Sequence, residues 1–264
     1  MTDTPNGATQ VHYIVGHPIV QVKSPAGVTR AFLDRGHNAM VLPADVPPGD
    51  LEAWLRGVSL ARNVDGIIAT IPHKFACFDL CATTSERAAF LRTVNTMRRN
   101  ADGSWHGDMF DGLGFVAAMQ ENGCKPAGRT ALLVGAGGAG SAIAHALVLA
   151  GVSRLAIHDE DAARRGTLVD RLASLGKASV VHGTLDPGGC DIVLNATPAG
   201  MKESDPFPVQ VDRLQSGMFV GCVITAPAVT PLIAAARARG CRTMTGADMF
   251  KGVSTLLVDF LLGR

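Results

Sequence analysis

The sequence lacks a surplus of charge of either sign. Its 264 residues include 24 Lys and Arg against 23 Asp and Glu, which gives a formal net charge of +1. Because these charges are spread along the chain, they provide no bulk attraction to a nucleic acid or to an anionic membrane. We therefore expect neither as a partner.

The sequence also lacks paired cysteines. None of its six cysteines forms a C-x-x-C pair, and Cys77 and Cys81, four residues apart, are typical of small core residues rather than metal ligands. The first ten residues have neither the basic nor the apolar region of a signal peptide. We expect a reduced, cytoplasmic protein with no bound metal.

A long stretch without charge, Thr130 to Ser153, is the only segment that a hydropathy window would take for a membrane span. Four glycines interrupt its first half, and His145 lies in the second. An apolar run, a glycine turn and a helical run predict a strand, a loop and a buried helix instead.

Strands and helices are predicted to alternate along the rest of the chain, which indicates βαβ units and mostly parallel sheets. Ser24 is predicted to cap a helix that ends at Phe32, and RRNADGSW predicts a hairpin that turns at Ala101 to Gly103. Glycines cluster near Gly107 to Gly114. We place a boundary there and predict two α/β lobes with a cleft between them.

The glycine turn has the sequence LLVGAGGAG, from Leu132 to Gly140. Glycines in such a turn allow a tight bend, close approach of a pyrophosphate and close contact between helix and strand. Asp159 follows at the end of the next predicted strand, where a carboxylate binds the ribose 2′-hydroxyl of NAD and repels the 2′-phosphate of NADP. Because the first basic residues come later, at Arg164 and Arg165, the sequence favours NAD over NADP.

Six short segments, in the same order, resemble the motifs of the shikimate dehydrogenase family over nearly the whole chain. They are GHPIVQVKSP (Gly16 to Pro25), GIIATIPHK (Gly66 to Lys74), TVNT (Thr93 to Thr96), GDMFDGLGF (Gly107 to Phe115), NATPAGM (Asn195 to Met201) and GADMF (Gly246 to Phe250).

The resemblance implies an α/β enzyme with a substrate-binding and catalytic domain at residues 1–112, to which a C-terminal helix at 248–264 returns. A Rossmann-type, doubly wound NAD(P)-binding domain occupies residues 113–247. Such an enzyme moves a hydride between the cofactor and C3 of a cyclic hydroxy acid.

The resemblance also implies roles for individual residues. Lys74 and Asp111 match the catalytic pair, with Lys74 the expected acid and base. The positions that match substrate contacts are Val22, Ser24, Thr70, Asn95, Thr225 and Met249. Those that match cofactor contacts are Gly135, Ala136, Gly137, Gly138, Ala139, Gly140, Asp159, Asn195, Thr197, Val223 and Gly246.

The departures from the family pattern lie on the substrate side. Val22 stands where the family has a serine, Thr225 where it has a tyrosine, and Val253 where it has a glutamine. Each change removes a polar contact to the substrate, while Lys74 and Asp111 are kept. We therefore expect a divergent shikimate or quinate dehydrogenase-like paralogue.

Other interpretations stay open from the sequence. They are an NAD-dependent quinate dehydrogenase and a metabolite-binding protein that has lost turnover. The methylenetetrahydrofolate dehydrogenases share a two-lobed plan with a catalytic lysine, but the Val-Asn-Thr and Phe-Asp-Gly segments favour the shikimate dehydrogenase family. Assembly as a monomer or as a homodimer is equally compatible with the sequence.

Overall fold

The computed structural model describes residues 4–263, so Met1 to Asp3 and Arg264 of the predicted ranges lie outside the described residues. The chain divides into two compact units. The first runs to Phe110 and takes up the chain again from Val253, and the second is Asp111–Gly252.

The first unit, before Phe110, is built of short strands and helices that alternate along the chain. They are β1 (Gln10–Gly16), α1 (Ser24–Asp34), β2 (Ala39–Asp45), α2 (Leu51–Val58), β3 (Val64–Ala69), α3 (Lys74–Asp79), β4 (Thr83–Thr84), α4 (Glu86–Leu91), β5 (Thr96–Arg99) and β6 (Trp105–Asp108).

Within the described residues these strands form one six-stranded sheet in the order β2-β1-β3-β5-β6-β4. Strand β1 lies between β2 and β3 and is parallel to both. Strands β5 and β6 form the predicted hairpin, antiparallel to each other, and β5 is also antiparallel to β3. The parallel half of the sheet therefore brings the carboxyl ends of β1 and β3 to the same edge.

The predicted cap of α1 is wrong. Ser24 is the first residue of this helix, the cap position is Lys23, and no side chain caps the helix there. The backbone of Lys23 is already helical, at φ −103° and ψ −13°, so the first turn begins one residue earlier than a serine cap requires. The Ser24 side chain is buried, and the helix continues past Phe32 to Asp34.

The second unit is more regular. Its elements are α5 (Asp111–Glu121), β7 (Thr130–Val134), α6 (Gly138–Leu149), β8 (Arg154–His158), α7 (Ala162–Ala173), β9 (Ser179–His182), β10 (Ile192–Asn195), β11 (Phe219–Cys222), α8 (Pro231–Ala238), β12 (Arg242–Met244) and the first part of α9 (Gly246–Leu261).

Its strands form a parallel sheet in the order β12-β11-β10-β7-β8-β9. The chain leaves β7 in one direction to β8 and later returns to its other side at β10. This reversal creates the crevice at the carboxyl end of β7 in which open α/β sheets bind ligands. The topology is that of a doubly wound, Rossmann-type domain.

The chargeless stretch from Thr130 to Ser153 forms β7, the glycine turn and α6, as predicted. Nearly every side chain of α6 is buried, which explains its high hydropathy. Among residues 4–263, helices are either too short or too polar to cross a bilayer.

Candidate active site

Backbone hydrogen bonds join three predicted site residues of the first unit in one region. The Ala69 N–H, at the end of β3, donates to the carbonyl of Asn95 at 2.7 Å. The Val94 N–H donates to the carbonyl of Lys74 at 2.9 Å. These bonds place the start of α3, which carries Lys74, beside the segment that carries Asn95, with Thr70 following Ala69 directly.

Thr70 is held at the shared edge of β1 and β3. Its N–H donates to the carbonyl of Val15 at 2.9 Å. The neighbouring Gly16 leaves room for it, since a Cβ there would lie 2.5 Å from the Thr70 Cγ2 atom. Thr70 is thereby placed at the carboxyl edge of the parallel strands.

The orientation of the Asn95 side chain is set by two donors. Its Oδ1 atom accepts the Phe110 N–H at 3.0 Å and the Thr96 hydroxyl at 3.1 Å, and the side chain is buried. An amide oxygen that accepts two hydrogen bonds fixes which way the side chain faces. Asn95 is therefore held in one orientation, against the backbone that immediately precedes Asp111.

An ion pair between Arg87 and the buried Asp108 carboxylate, in the segment just before Asp111, was not predicted from the sequence. Asp108 accepts the Met109 N–H at 2.7 Å, the Ser85 hydroxyl, and the Arg87 guanidinium at 2.5 Å. The Arg87 guanidinium also lies 4.9 Å from the centre of the Phe110 ring. The available signal was an aspartate at the end of a predicted strand, three residues before Asp111. The pair anchors Met109 and Phe110, which immediately precede Asp111.

His73, next to Lys74, has a structural role. It is buried, and its Nε2 atom lies 2.7 Å from the carbonyl oxygen of Val46. Burial lowers the pKa of His73, so the ring is neutral near pH 7 and donates through Nε2. It connects the start of α3 to the segment after β2.

The remaining predicted substrate residues lie in several places. Ser24 is buried at the start of α1, and Val22 is half-buried in the preceding loop. Asp111 is the buried first residue of α5. Thr225 is half-buried after β11, and Met249 is buried in the first turns of α9.

The glycine turn of the second unit has the geometry of a phosphate-binding loop. Gly135 has φ +105°, and a Cβ there would lie 2.8 Å from the carbonyl carbon of Ala196. A Cβ at Gly140 would overlap the carbonyl oxygen of Gly135. Both positions therefore require glycine, one for its backbone conformation and the other for contact between helix and strand.

The start of α6 is open for a ligand. Gly137 caps this helix without a side-chain hydrogen bond, and nothing lies within 4 Å of a Cβ built on it. The first N–H groups of a helix need an acceptor and attract a negative charge. The side chains that follow, from Gly138 to Gly140, are too small to obstruct one. The turn fits the pyrophosphate of a dinucleotide.

Asp159 lies directly after β8, beside the glycine turn. One of its oxygens accepts the Ala136 N–H at 2.6 Å, and the other accepts the Asp161 N–H at 2.9 Å and the Arg164 guanidinium at 2.6 Å. Burial raises the pKa of Asp159, but the hydrogen bonds from Arg164 and the two N–H groups outweigh it and hold the pKa below its usual value. Asp159 is therefore ionised and paired with Arg164.

The other predicted cofactor residues surround the carboxyl end of β10. The Asn195 Oδ1 atom accepts the N–H of Thr197 at 3.0 Å and its hydroxyl at 2.7 Å. The Val223 N–H donates to the carbonyl of Asn195 at 3.1 Å. Gly246 begins α9, where a Cβ would overlap the carbonyl oxygen of Ile224. These bonds fix the loops that follow β10 and β11 at the crevice.

The same family appears when the chain is compared with known proteins. The sequence profile of the shikimate dehydrogenase substrate binding domain matches residues 14–97. The shikimate dehydrogenase (NADP(+)) of Rubrobacter xylanophilus is 38% identical over 94% of this chain and 89% of its own length. The chain belongs to the shikimate dehydrogenase family.

Solved structures of related proteins extend the comparison. The quinate dehydrogenase of Corynebacterium glutamicum, in complex with NAD, is 29% identical and covers 97% of this chain and 94% of its own, with a TM-score of 0.86. The 5-ketofructose reductase of a Gluconobacter strain is 28% identical and covers 98% and 95%, with a TM-score of 0.85. Proteins named for three different substrates thus share this fold.

Proposed function

We propose that the chain is a shikimate dehydrogenase-like oxidoreductase that transfers a hydride reversibly between NAD(P) and the C3 hydroxyl of shikimate or a closely related cyclic hydroxy acid. The observation that carries the proposal is the grouping of Thr70, Lys74 and Asn95 by backbone hydrogen bonds. The 38% identity to a shikimate dehydrogenase supports the choice of substrate. The first unit would bind the substrate and the second the cofactor, which accepts the hydride when bound.

Lys74 is proposed to move the proton. When a hydride leaves a carbinol carbon, the hydroxyl becomes acidic and a positioned base must take its proton. Lys74 accepts this proton during oxidation and returns it to the developing alkoxide during reduction. Asp111 is proposed as the second member of the catalytic pair, as the family resemblance implies.

Asn95 and Thr70 are proposed to hold the ring hydroxyls of the substrate. The fixed Asn95 amide donates from its NH₂ group, and the Thr70 hydroxyl can donate or accept. Ser24 keeps one contact to the substrate carboxylate, whereas Val22 offers none. A lost hydrogen bond to a charged group weakens binding by about 1.5–3 kcal/mol. We therefore expect weaker binding of shikimate than in relatives with both serines.

The preferred cofactor is proposed to be NAD. The support is the ionised Asp159 carboxylate beside the turn, followed by Glu160 and Asp161, all of which would repel a 2′-phosphate. Arg164 acts in the opposite direction, because its guanidinium could turn from Asp159 to a phosphate. Relatives such as the Rubrobacter enzyme are named for NADP(+).

The cofactor proposal is tested by kinetics with both dinucleotides. We expect a higher kcat/KM for NAD⁺ than for NADP⁺, and a shift of at least tenfold towards NADP⁺ in Asp159→Asn. Arg164→Gln should weaken NADP⁺ more than NAD⁺. A preference of the wild type for NADP⁺ would overturn the assignment of NAD as the cofactor. It would leave the assignment to the shikimate dehydrogenase family unchanged.

The substrate is tested by a screen of shikimate, quinate and related hydroxy acids with each cofactor. We expect the highest kcat/KM with shikimate. Quinate as the better substrate would favour the alternative dehydrogenase, and no turnover on any of them would favour a metabolite-binding protein. We also propose that the protein is located in the cytoplasm. Its assembly state, monomer or homodimer, can be measured by analytical ultracentrifugation.

A further inference from the structure

A cavity lies in the second unit, at the edge of the sheet opposite to the glycine turn. Its volume is about 230 Å³, and its lining includes the residues at which four strands begin. These are Arg129, before β7; Asp191 and Ile192, at the start of β10; Phe219 of β11; and Arg242 of β12. Because all these strands are parallel, their carboxyl ends, and the cofactor residues on them, lie at the other edge.

The charge of this cavity is positive. Lys125, Arg129 and Arg242 contribute three cations, and Asp191 is the one carboxylate in the lining. Asp191 is already engaged, since one oxygen pairs with Arg129 at 3.2 Å and the other accepts the Thr130 N–H at 2.9 Å. Two positive charges therefore have no carboxylate in the lining to balance them.

Two of the cations already have a partner within the protein. The Arg242 guanidinium donates to the carbonyl of Gly123 at 2.5 Å, and Arg129 is held by Asp191. Each guanidinium has five N–H donors in a fixed plane, so one bond to the protein leaves others for a ligand. The inner wall is apolar, with buried Cys124, Ile192 and Phe219, while the three cations lie at the exposed rim, where salt screens their attraction for an anion.

We propose that this cavity binds a phosphate group, either as inorganic phosphate or as the phosphomonoester of a small metabolite. Guanidinium groups match the tetrahedral oxyanion with paired hydrogen bonds, and Lys125 adds a mobile third charge. The volume is below the roughly 300–1,000 Å³ of sites for drug-sized ligands, which limits the occupant to a compact molecule. The site is independent of the dehydrogenase activity.

The test is equilibrium dialysis of the whole protein with radiolabelled inorganic phosphate, at constant ionic strength and with excess NAD⁺ to occupy the glycine turn. We expect saturable binding of one phosphate per chain. Lys125→Gln should weaken it by about tenfold, the effect of one lost charge-assisted hydrogen bond. The matched control is Arg239→Gln, which removes a charge from an exposed arginine outside the cavity lining and should leave binding unchanged.

Three results would overturn the proposal. The first is no saturable binding of phosphate, and the second is unchanged binding in Lys125→Gln. The third is equal weakening of binding in Lys125→Gln and Arg239→Gln, which would indicate a general charge effect. Arg242→Lys keeps the charge and should retain part of the phosphate binding, whereas Arg242→Gln should lose it.

Competition by glycerol 3-phosphate distinguishes free phosphate from a phosphomonoester as the ligand. Stronger competition than by inorganic phosphate supports an ester as the ligand, and weaker competition supports free phosphate.

Discussion

At the scale of single residues, Asp159 shows what spacing can and cannot predict. The interval from the glycine turn identified a carboxylate at the end of β8, and the structure has it there. Arg164, five residues further along the chain, was not predicted to contact Asp159. The Asp161 side chain caps α7 by accepting the Arg164 N–H. The first turn of α7 brings the Arg164 guanidinium back to Asp159. The spacing of the two residues in the sequence does not show this contact.

His12 predicts a specific loss of stability in acid. It is 3% exposed, it stacks on Phe32, and burial lowers its pKa from 6.5 to about 4. The unfolded chain therefore binds a proton that the folded protein resists between these values. Stability is full above pH 6.5 and is lost as the pH falls towards 4, with a loss of about 2 kcal/mol by pH 5.

Urea unfolding of the wild type and of His12→Leu at pH 7.5 and pH 5 measures this effect. The variant removes the titrating group, so its difference between the two pH values should be smaller by about 2 kcal/mol. An identical difference in both proteins would show that His12 is not the group responsible.

Thr93 predicts a gain in stability. Its side chain is fully buried, and its hydroxyl has no hydrogen-bond partner among the described residues. Valine has nearly the same shape without the buried hydroxyl. Thr93→Val should raise the free energy of unfolding by about 1 kcal/mol. Chemical denaturation measures it, and a loss of more than 1 kcal/mol would mean that the hydroxyl has a partner in solution.

At the scale of structural elements, two glycines of the glycine turn are expected to have different roles, one in stability and the other in cofactor binding. Gly140→Ala forces a methyl group into the carbonyl of Gly135, so we expect a loss of about 1–3 kcal/mol in the free energy of unfolding and weak cofactor binding. Gly137→Ala meets only open space. It should fold normally yet bind the dinucleotide at least tenfold more weakly, because its methyl group occupies the approach of the pyrophosphate.

Thermal unfolding and dinucleotide titration of the two variants distinguish these effects. Normal cofactor affinity in Gly137→Ala would place the pyrophosphate elsewhere.

The predicted elements agree with the structure where periodicity and turn residues coincide. The β5 to β6 hairpin and the succession of β7, glycine turn and α6 are examples. The short α4 and the two-residue β4 were missed, because six and two residues are too few for a period to appear. Ser24 was misplaced by one residue because the local backbone, rather than side-chain preference, determines where α1 begins.

At the scale of the whole molecule, near-neutral charge is a sum that hides local imbalance. The even balance led us to expect no polyanionic partner, yet one sheet carries an acidic cluster at Asp159 to Asp161 and a basic cavity at its opposite edge. The fold class followed from the alternation of strands and helices. The order of the strands, the ion pair of Asp108 with Arg87 and the cavity depend on contacts between distant segments, which one sequence does not encode locally.

The central claim is that this chain is a dehydrogenase whose proton transfer depends on Lys74. The most direct measurement is the rate of shikimate-dependent NAD⁺ and NADP⁺ reduction by the wild type, Lys74→Ala and Lys177→Ala, with dinucleotide binding measured in parallel. Lys177 is an exposed control between α7 and β9. We predict that Lys74→Ala lowers kcat by about 10²–10⁴-fold with dinucleotide affinity nearly unchanged, and that Lys177→Ala behaves as the wild type. Retained turnover in Lys74→Ala would contradict the account.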